Sequence, residues 1–226
     1  SKPHRSPAKT EERAERKVVE LRERYGWGAR KLQVLLKQQE GILLSESTIK
    51  RIFHRNNLIK LQDRHCPALT RFERSAPNQL WQADFKGPMG KMCVPCEPLS
   101  ILDDHSRYLV GLHPVASKRI EEVRVAFEKS FILYGIPEAL LLDHGVPWWS
   151  TTNRNGFTQL SVWFMTQDIK VIYSGFNHPQ TQGKVERFHK TLDDTVSHKG
   201  IPDAFDGWKP LLTNVRREYN HIRPHE

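Results

Sequence analysis

Three segments in the first sixty residues repeat apolar positions at intervals of three or four, and this periodicity predicts three short helices. The expected helices cover residues 11–24, 29–39 and 46–56. Gly41 closes the second helix, because glycine readily takes the left-handed conformation that ends a helix. Ser45 precedes the third, where a side-chain oxygen can accept from a free N–H of the first turn. The start of the chain therefore predicts a small all-α module.

The third predicted helix is basic on the face opposite its apolar stripe. That face consists of Lys50, Arg51, His54 and Arg55. Three short helices ending in a basic one are typical of a helix-turn-helix module, whose last helix enters the major groove of DNA. A small helical bundle with a solvated basic face is the alternative. We expect residues 1–60 to be a DNA-binding helix-turn-helix module that begins with linker-like sequence at 1–10, and we expect these four side chains to contact DNA.

Strand and helix patterns alternate in the remainder, residues 78–226, after a linker at 61–77. Strands are expected at 80–87, 98–104, 107–115, 139–142 and 170–173. Helices are expected at 117–134, 156–167, 180–199 and 205–221. Three strands followed by alternating helices and strands predict an α/β fold, in which a mixed five-stranded sheet is flanked by helices.

Charge is distributed unevenly along the 226 residues, whose net charge is +9. Residues 1–74 contain 18 Lys and Arg against 9 Asp and Glu, whereas residues 75–226 contain 17 of each kind. A basic module joined to a neutral one favours a polyanionic partner, and double-stranded DNA is the usual one. No apolar run reaches the roughly 20 residues that span a membrane, and three cysteines do not indicate a disulfide framework. We expect a cytoplasmic protein with no membrane partner.

Three carboxylates occupy positions where a charge is costly or well placed for chemistry. Asp84 lies inside the first expected strand, where a charge needs a partner or a bound cation. Asp143 follows the wholly apolar strand at 139–142, and the carboxyl ends of strands are where open α/β sheets bind ligands. Glu186 lies on the 180–199 helix, away from the stripe that faces the core. Singly, each has an ordinary explanation, as a paired strand residue, a turn aspartate or a solvated glutamate.

Together, the three carboxylates suit a divalent metal. Mg²⁺ (or Mn²⁺) prefers oxygen ligands, and two such ions roughly 4 Å apart can hold the attacking and leaving oxygens of an in-line phosphoryl transfer. We therefore expect Asp84, Asp143 and Glu186 to be both catalytic residues and metal ligands, with two ions in each active site when DNA is bound.

Six motifs are specific enough to compare with known families: "YGWGARKLQVLLKQQEGILLSESTIKRIFHRNNLI", "QLWQADFKG", "SILDDHSRYLVG", "LLDHG", "HPQTQGKVERFHKTL" and "VRREYNHIRPHE". The first resembles the helix-turn-helix module, and the others the catalytic core, of bacterial insertion-sequence transposases of the retroviral-integrase type. The resemblance covers about residues 25–226. The fifth motif is the most specific, because few other contexts combine its elements in this order.

This resemblance implies an RNase H-like core with an Asp-Asp-Glu triad, which matches Asp84, Asp143 and Glu186 by motif. It implies a DNA transposase that cleaves the 3′ ends of its element and transfers them into target DNA. The helix-turn-helix module would bind the terminal inverted repeats, and the active complex would be a homo-oligomer at the bacterial nucleoid. Basic residues of the fifth motif are then expected to contact DNA, namely Lys184, Arg187, His189 and Lys190.

Two other functions fit the same residues. A nuclease of the same fold would only hydrolyse DNA, without recognising an element's ends. A regulator derived from a transposase would bind DNA but would have lost catalysis. The chain lacks an initial Met, and related proteins continue beyond its last residue, so we also expect it to be a piece of a longer protein.

Two tryptophans and two cysteines outside the triad each allow more than one structural or functional role. Trp148 and Trp149 lie in "VPWWSTTNRNG", a loop expected to line the DNA channel. Their rings would either stack on an unpaired base or pack in the core. Cys93 and Cys96 form a lone CxxC, which we interpret as structural thiols rather than a zinc site.

Two further aspartates lie at a strand end. Asp103 and Asp104 are expected to cap the following turn, with Asp104 pairing with Arg107, and both are left out of the triad.

Overall fold

The computed structural model describes residues 10–59, 73–90, 95–174 and 182–224. The described residues divide into two compact units, a helical one at 10–59 and 222–224, and a larger one at 73–90, 95–174 and 182–221. Most of the predicted linkers, at 1–10 and 61–77, lies outside the described residues. Residues 222–224 group with the helical unit, whereas the sequence had placed them in the α/β part.

The helical unit consists of α1 (Glu12–Tyr25), α2 (Ala29–Glu40) and α3 (Glu46–Arg55). Gly26 and Gly41 end the first two helices with φ of 67° and 64°. Ser45 caps the third, since its hydroxyl accepts from the Thr48 N–H at 3.1 Å. The fully buried side chains at the centre of this unit come from all three helices, namely Val18, Leu32, Leu36, Ile49 and Ile52. The three predicted helices are therefore confirmed.

The larger unit contains the predicted mixed five-stranded sheet. Its strands are β1 (Trp81–Phe85), β2 (Leu99–Asp103), β3 (Leu109–His113), β4 (Ala139–Leu142) and β5 (Lys170–Tyr173). Their order across the sheet is β3-β2-β1-β4-β5. The first three strands pair antiparallel, and β4 pairs parallel with both β1 and β5. The three-strand meander followed by two crossover strands produces this order.

Helices cover both faces of the sheet. They are α4 (Ile120–Tyr134), α5 (Gln159–Thr166), α6 (Gly183–Lys199) and α7 (Trp208–His221). Successive strand residues point to opposite faces, and accordingly Ile101 packs with the α4 and α5 core whereas Leu102 packs with the α6 and α7 core. The sheet is thus the middle layer of three. None of the described helices is long and apolar enough to cross a membrane.

Several helices begin later than their sequence patterns predict. The expected helix at 117–134 begins only at Ile120. The expected helix at 156–167 begins only at Gln159, because Thr158 caps it through the Ser161 N–H. The expected helix at 205–221 starts as a short 3-10 turn at Phe205–Gly207 before α7.

Candidate active site

Asp84 and Asp143 come together because β1 and β4 run parallel. The pairing sets Trp81 opposite Leu140 and Gln82 opposite Leu141. The same register continued by two residues sets Asp84 beside Asp143. Both carboxylates therefore lie at the carboxyl ends of the two central strands, where the sequence placed them.

The Asp84 carboxylate is largely buried and lies near other negative charges. Its Oδ1 accepts from the Phe85 N–H at 2.8 Å, and its Oδ2 lies 3.8 Å from Nδ1 of His189. Burial, together with the negative charges of Asp143 and Glu186, raises the pKa of Asp84 to about 7 against the opposing hydrogen bond. The electrostatic influence of both other carboxylates indicates that the three groups share one region.

A tight turn fixes the Asp143 side chain. Its Oδ1 accepts from the Gly145 N–H at 2.9 Å. A Cβ added to Gly145 would lie 3.1 Å from both carboxylate oxygens. The glycine after "LLDH" therefore leaves the room that the carboxylate needs.

Glu186 reaches this region from the first turn of α6. Its side chain is exposed, as predicted from its stripe on the helix. The helix packs against β1 and β2. His189, one turn further along, points its ring at Asp84, so Glu186 lies on the turn of α6 next to that carboxylate.

The three carboxylates fit a hard divalent cation by chemistry. They are oxygen donors, and the burial and mutual repulsion that raise the pKa of Asp84 to about 7 are what a bound cation would relieve. Within the described residues, no group of three or more His, Cys, Asp or Glu side chains is already gathered closely enough to hold a metal ion. The carboxylates are thus neighbours, but they do not form a preassembled ligand cage.

The raised pKa of Asp84 predicts how stability changes with pH in the absence of metal. The native state keeps a proton that the unfolded chain releases above its ordinary pKa of 3.8. At low pH, Asp84 is protonated in both states and does not oppose folding. As the pH rises from 3.8 through about 7, the unfolded chain releases this proton first, and the native state loses stability relative to it. Asp84→Asn cannot titrate at this position and avoids that loss. The amount by which its free energy of unfolding exceeds that of the parent chain should therefore be about 2–3 kcal/mol larger at pH 8 than at pH 5.

Urea unfolding with a chelator present measures this gain at both pH values. If the free energy of unfolding of Asp84→Asn differed from that of the parent chain by the same amount at pH 5 and pH 8, Asp84 would have an ordinary pKa.

The structure corrects the prediction for His189. This residue was expected to contact DNA phosphates, but its side chain is 8% exposed, and its Nε2 hydrogen-bonds with Ser100 Oγ at 3.1 Å. Burial, together with the positive charge of Lys86, lowers the pKa of His189 to about 4. A buried neutral imidazole offers no positive charge to a phosphate. The burial of His189 could have been predicted from its spacing, because His189 follows the buried Val185 by four positions.

The other basic residues of the fifth motif lie in two environments. Arg187 and Lys190 are exposed on α6. Lys184 is instead turned toward the sheet, where its Nζ lies 2.9 Å from Asp104 Oδ1 and its side chain is 15% exposed.

Asp103 and Asp104 are buried structural acceptors. Asp103 accepts from the Ser106 N–H and hydroxyl at 2.7 and 2.6 Å, which confirms its predicted role in the turn. Asp104 accepts from Gln82 Nε2 and from the Arg74 N–H, both at 2.7 Å. Its cationic partner is Lys184, so the predicted pairing with Arg107 is wrong.

The four basic residues predicted on the third helix share one exposed face of α3. They are Lys50, Arg51, His54 and Arg55. All four line a concave surface of ≈ 700 Å³ within the helical unit, together with Phe53 and the exposed Ile59. Two also pair with carboxylates, Lys50 with Glu46 at 2.6 Å and Arg55 with Glu15 at 2.8 Å.

The two tryptophans of the loop after Asp143 lie in different environments. Trp148 is 1% exposed and packs against Phe85 and Phe127, so it is a core residue. Trp149 is half-buried, and its ring contacts those of His144 and Tyr173. The loop lines a groove of ≈ 470 Å³ whose opposite side begins at Lys118 and Arg119.

Gly156 is the position where this loop depends most on glycine. Its φ is +69°, and a Cβ there would lie 2.2 Å from Cζ2 of Trp149. Gly156→Ala should therefore destabilise the protein by about 2–3 kcal/mol, from backbone strain together with overpacking. Gly183→Ala is the control, because a Cβ there meets nothing within 4 Å. Equal urea midpoints for the two variants would contradict the tight packing of Trp149.

Cys96 is a buried thiol, consistent with the structural interpretation. Burial raises its pKa to about 12, and its backbone pairs with that of Met89. Cys93 lies outside the described residues, as do the first four residues of the fifth motif.

Comparison with known proteins finds similarity to integrases and transposases. Residues 167–226 match the integrase core domain family. The chain is 35% identical over 100 residues to the retrovirus-related Pol polyprotein from transposon 412 of Drosophila melanogaster, covering 43% of the chain and 7% of the polyprotein. It is 27% identical over 144 residues to the transposase for transposon Tn552 of Staphylococcus aureus, covering 54% of the chain and 27% of that transposase. The chain thus spans less than a third of either relative.

Solved structures share the fold at low sequence identity. The HTLV-2 integrase catalytic core domain in complex with magnesium superposes with a TM-score of 0.52 at 16% identity, over 67% of the chain and 91% of that domain. The simian T-cell lymphotropic virus intasome in complex with PP2A regulatory subunit B56 gamma superposes with a TM-score of 0.57 at 17% identity, over 92% of the chain and 70% of the matched one. The chain is therefore similar to integrases and transposases over parts of its length, and its larger unit has the RNase H-like fold of the integrase catalytic cores.

Proposed function

We propose that the chain is a DNA transposase that cleaves the 3′ ends of a mobile element and joins them to target DNA. The observation that carries this proposal is the meeting of Asp84 and Asp143 on adjacent parallel strands, within electrostatic reach of Glu186 on α6. The similarity to the Tn552 transposase and to the integrase core domain family supports DNA integration or transposition in general.

Asp84, Asp143 and Glu186 are the residues that would hold Mg²⁺ or Mn²⁺, two ions per site with DNA bound. When bound, the ions supply an activated water and stabilise the charge that develops on the phosphate. Asp84 and Asp143 are oriented by backbone N–H groups before any ligand arrives. Glu186 is exposed at the surface of α6, so it can complete the set from the side on which DNA approaches.

DNA contacts are proposed on both units. In the helical unit, the exposed basic face of α3 fits phosphates and base edges of the terminal inverted repeats. In the core, Arg187 and Lys190 form a separate positive surface on α6 beside Glu186. The groove between Lys118, Arg119 and the loop at Trp149 supplies two cations and several hydroxyls, and Lys118 lies within electrostatic reach of Asp84, which suits a strand that passes the carboxylates.

Joining two ends to one target requires at least two active sites. We therefore propose a homo-oligomer as the active form, acting on DNA in a bacterial cytoplasm. The intasome named among the similar structures is an assembly of this general kind.

A two-step assay tests the proposal. Duplexes that bind the chain are first selected from a random pool, and the selected sequence is then offered with Mg²⁺ as an intact duplex and as a duplex precut at the 3′ end. A transposase should cut the first and join the second to plasmid DNA. Hydrolysis of the first without joining of the second would identify a nuclease instead. Tight binding with neither reaction would identify a regulator that has lost catalysis.

A further inference from the structure

Asp84 has a buried polar neighbour on the adjacent strand. The β1–β2 register sets Asp84 directly opposite Ser100, so both side chains lie on the same face of the sheet. Ser100 is fully buried. A buried hydroxyl needs a hydrogen-bond partner, and that partner comes from α6.

The partner is His189, three residues after Glu186 and therefore on a neighbouring part of the same helix face. Its Nε2 lies 3.1 Å from Ser100 Oγ, and its Nδ1 lies 3.8 Å from Asp84 Oδ2. In the tautomer with its hydrogen on Nδ1, Nε2 accepts from the Ser100 hydroxyl, and the Nδ1–H faces the Asp84 carboxylate beyond hydrogen-bond distance but within electrostatic reach.

Glu186 lies between two polar attachments of α6 to the sheet. Lys184 attaches the start of the helix to Asp104, and His189 attaches the next turn to Ser100. The remaining buried residues of this part of the helix, Val185 and Phe188, are apolar. Apolar packing is not directional, whereas a hydrogen bond fixes distance and angle. The two attachments therefore determine where the Glu186 turn sits along the sheet.

We propose that the His189–Ser100 hydrogen bond is a positioning contact of the active site, which sets the separation of Glu186 from Asp84 and orients the Asp84 carboxylate for metal binding. It rests on the proposed function, because it assumes that these carboxylates bind the metal. His189 acts through its neighbours and touches neither the DNA nor the reacting phosphate.

The structure offers a matched control for this contact. Ser130 on α4 is also buried, at 1% exposure, and its Oγ lies 3.3 Å from Nε2 of His113 on β3. It is a second buried Ser–His contact between a helix and the sheet, but its residues belong to α4 and β3 rather than to α6 and β2. Ser100→Ala and Ser130→Ala should therefore have similar effects on stability and different effects on metal binding.

Mn²⁺ titration of the full chain with bound DNA measures the difference. Ser100→Ala should raise the Mn²⁺ Kd about tenfold, which is typical when an outer-shell partner is removed, whereas Ser130→Ala should leave it unchanged. His189→Gln can still reach Ser100 and should retain most of the affinity, whereas His189→Leu should not. A Kd that is equal in Ser100→Ala and Ser130→Ala would overturn the proposal.

A second measurement needs no metal. Amide hydrogen exchange of the α6 residues around Glu186 should be faster in Ser100→Ala than in Ser130→Ala. If the parent chain binds no Mn²⁺, the proposed function fails, and the exchange experiment still decides whether the contact positions the Glu186 turn. Equal exchange in the two variants would overturn the positioning role.

Discussion

Asp84→Asn, Asp143→Asn and Glu186→Gln should each lower metal-dependent DNA cleavage by roughly 10³-fold or more, which corresponds to about 4 kcal/mol of lost transition-state stabilisation. Each substitution keeps the shape of the side chain and removes one negative charge. The triad then has too little charge to hold two divalent ions beside a phosphate backbone. Because the proposed contacts on α3 are in the other unit, affinity for the selected duplex should stay within about threefold of the parent value, which is a change of well under 1 kcal/mol.

Asp193→Asn is the control for these variants. Asp193 is also a carboxylate of α6, but it is half-exposed and pairs with Lys86 at 3.2 Å. Its loss should leave cleavage almost unchanged. Cleavage by Asp84→Asn at the rate of the control would remove Asp84 from the triad.

Asp104→Ala should produce the largest loss of stability among the aspartate variants, about 3–5 kcal/mol, which is typical when one partner of a buried ion pair is removed. Asp104 is fully buried, and three groups depend on it: the Arg74 N–H, the Gln82 amide and the Lys184 ammonium. The substitution would remove the acceptor that these three donors share and leave the buried Gln82 amide without it. A buried carboxylate thus lowers stability at Asp84, whose neighbours are anionic, and contributes to stability at Asp104, whose neighbours are hydrogen-bond donors.

Urea unfolding at pH 8 without divalent metal tests this contrast. Asp104→Ala should unfold at much lower urea concentration than the parent chain, and Asp84→Asn at higher. Asp193→Ala should change the free energy of unfolding by under about 1 kcal/mol, as expected for an exposed ion pair. A loss for Asp104→Ala no larger than that of Asp193→Ala would contradict the buried network.

Local pattern was enough to predict most of the fold. The apolar run Leu140–Leu142 identified the central strand, and the position of Asp143 at its end followed from the sequence alone. The stripes of α6 separated exposed Glu186 from the buried Val185 side. These features depend on residues close together in the chain, so the hydrophobic periodicity of the sequence predicts them.

Contacts between distant residues were not accessible in this way. Lys184 and Asp104 are 80 residues apart, and nothing in the local pattern distinguishes this partner from the nearer Arg107. The register that sets Asp84 beside Asp143 and opposite Ser100 depends on three strands at once. His189 was misassigned for a different reason, because its charge type was given more weight than its position four residues after Val185.

The central claim is that Asp84, Asp143 and Glu186 bind the divalent metal, and Mn²⁺ titration of the DNA-bound chain tests it most directly. The parent chain and Asp193→Asn should bind Mn²⁺ with equal affinity, whereas Asp84→Asn, Asp143→Asn and Glu186→Gln should each lose most of the binding. Undiminished Mn²⁺ affinity in Asp84→Asn would contradict the claim.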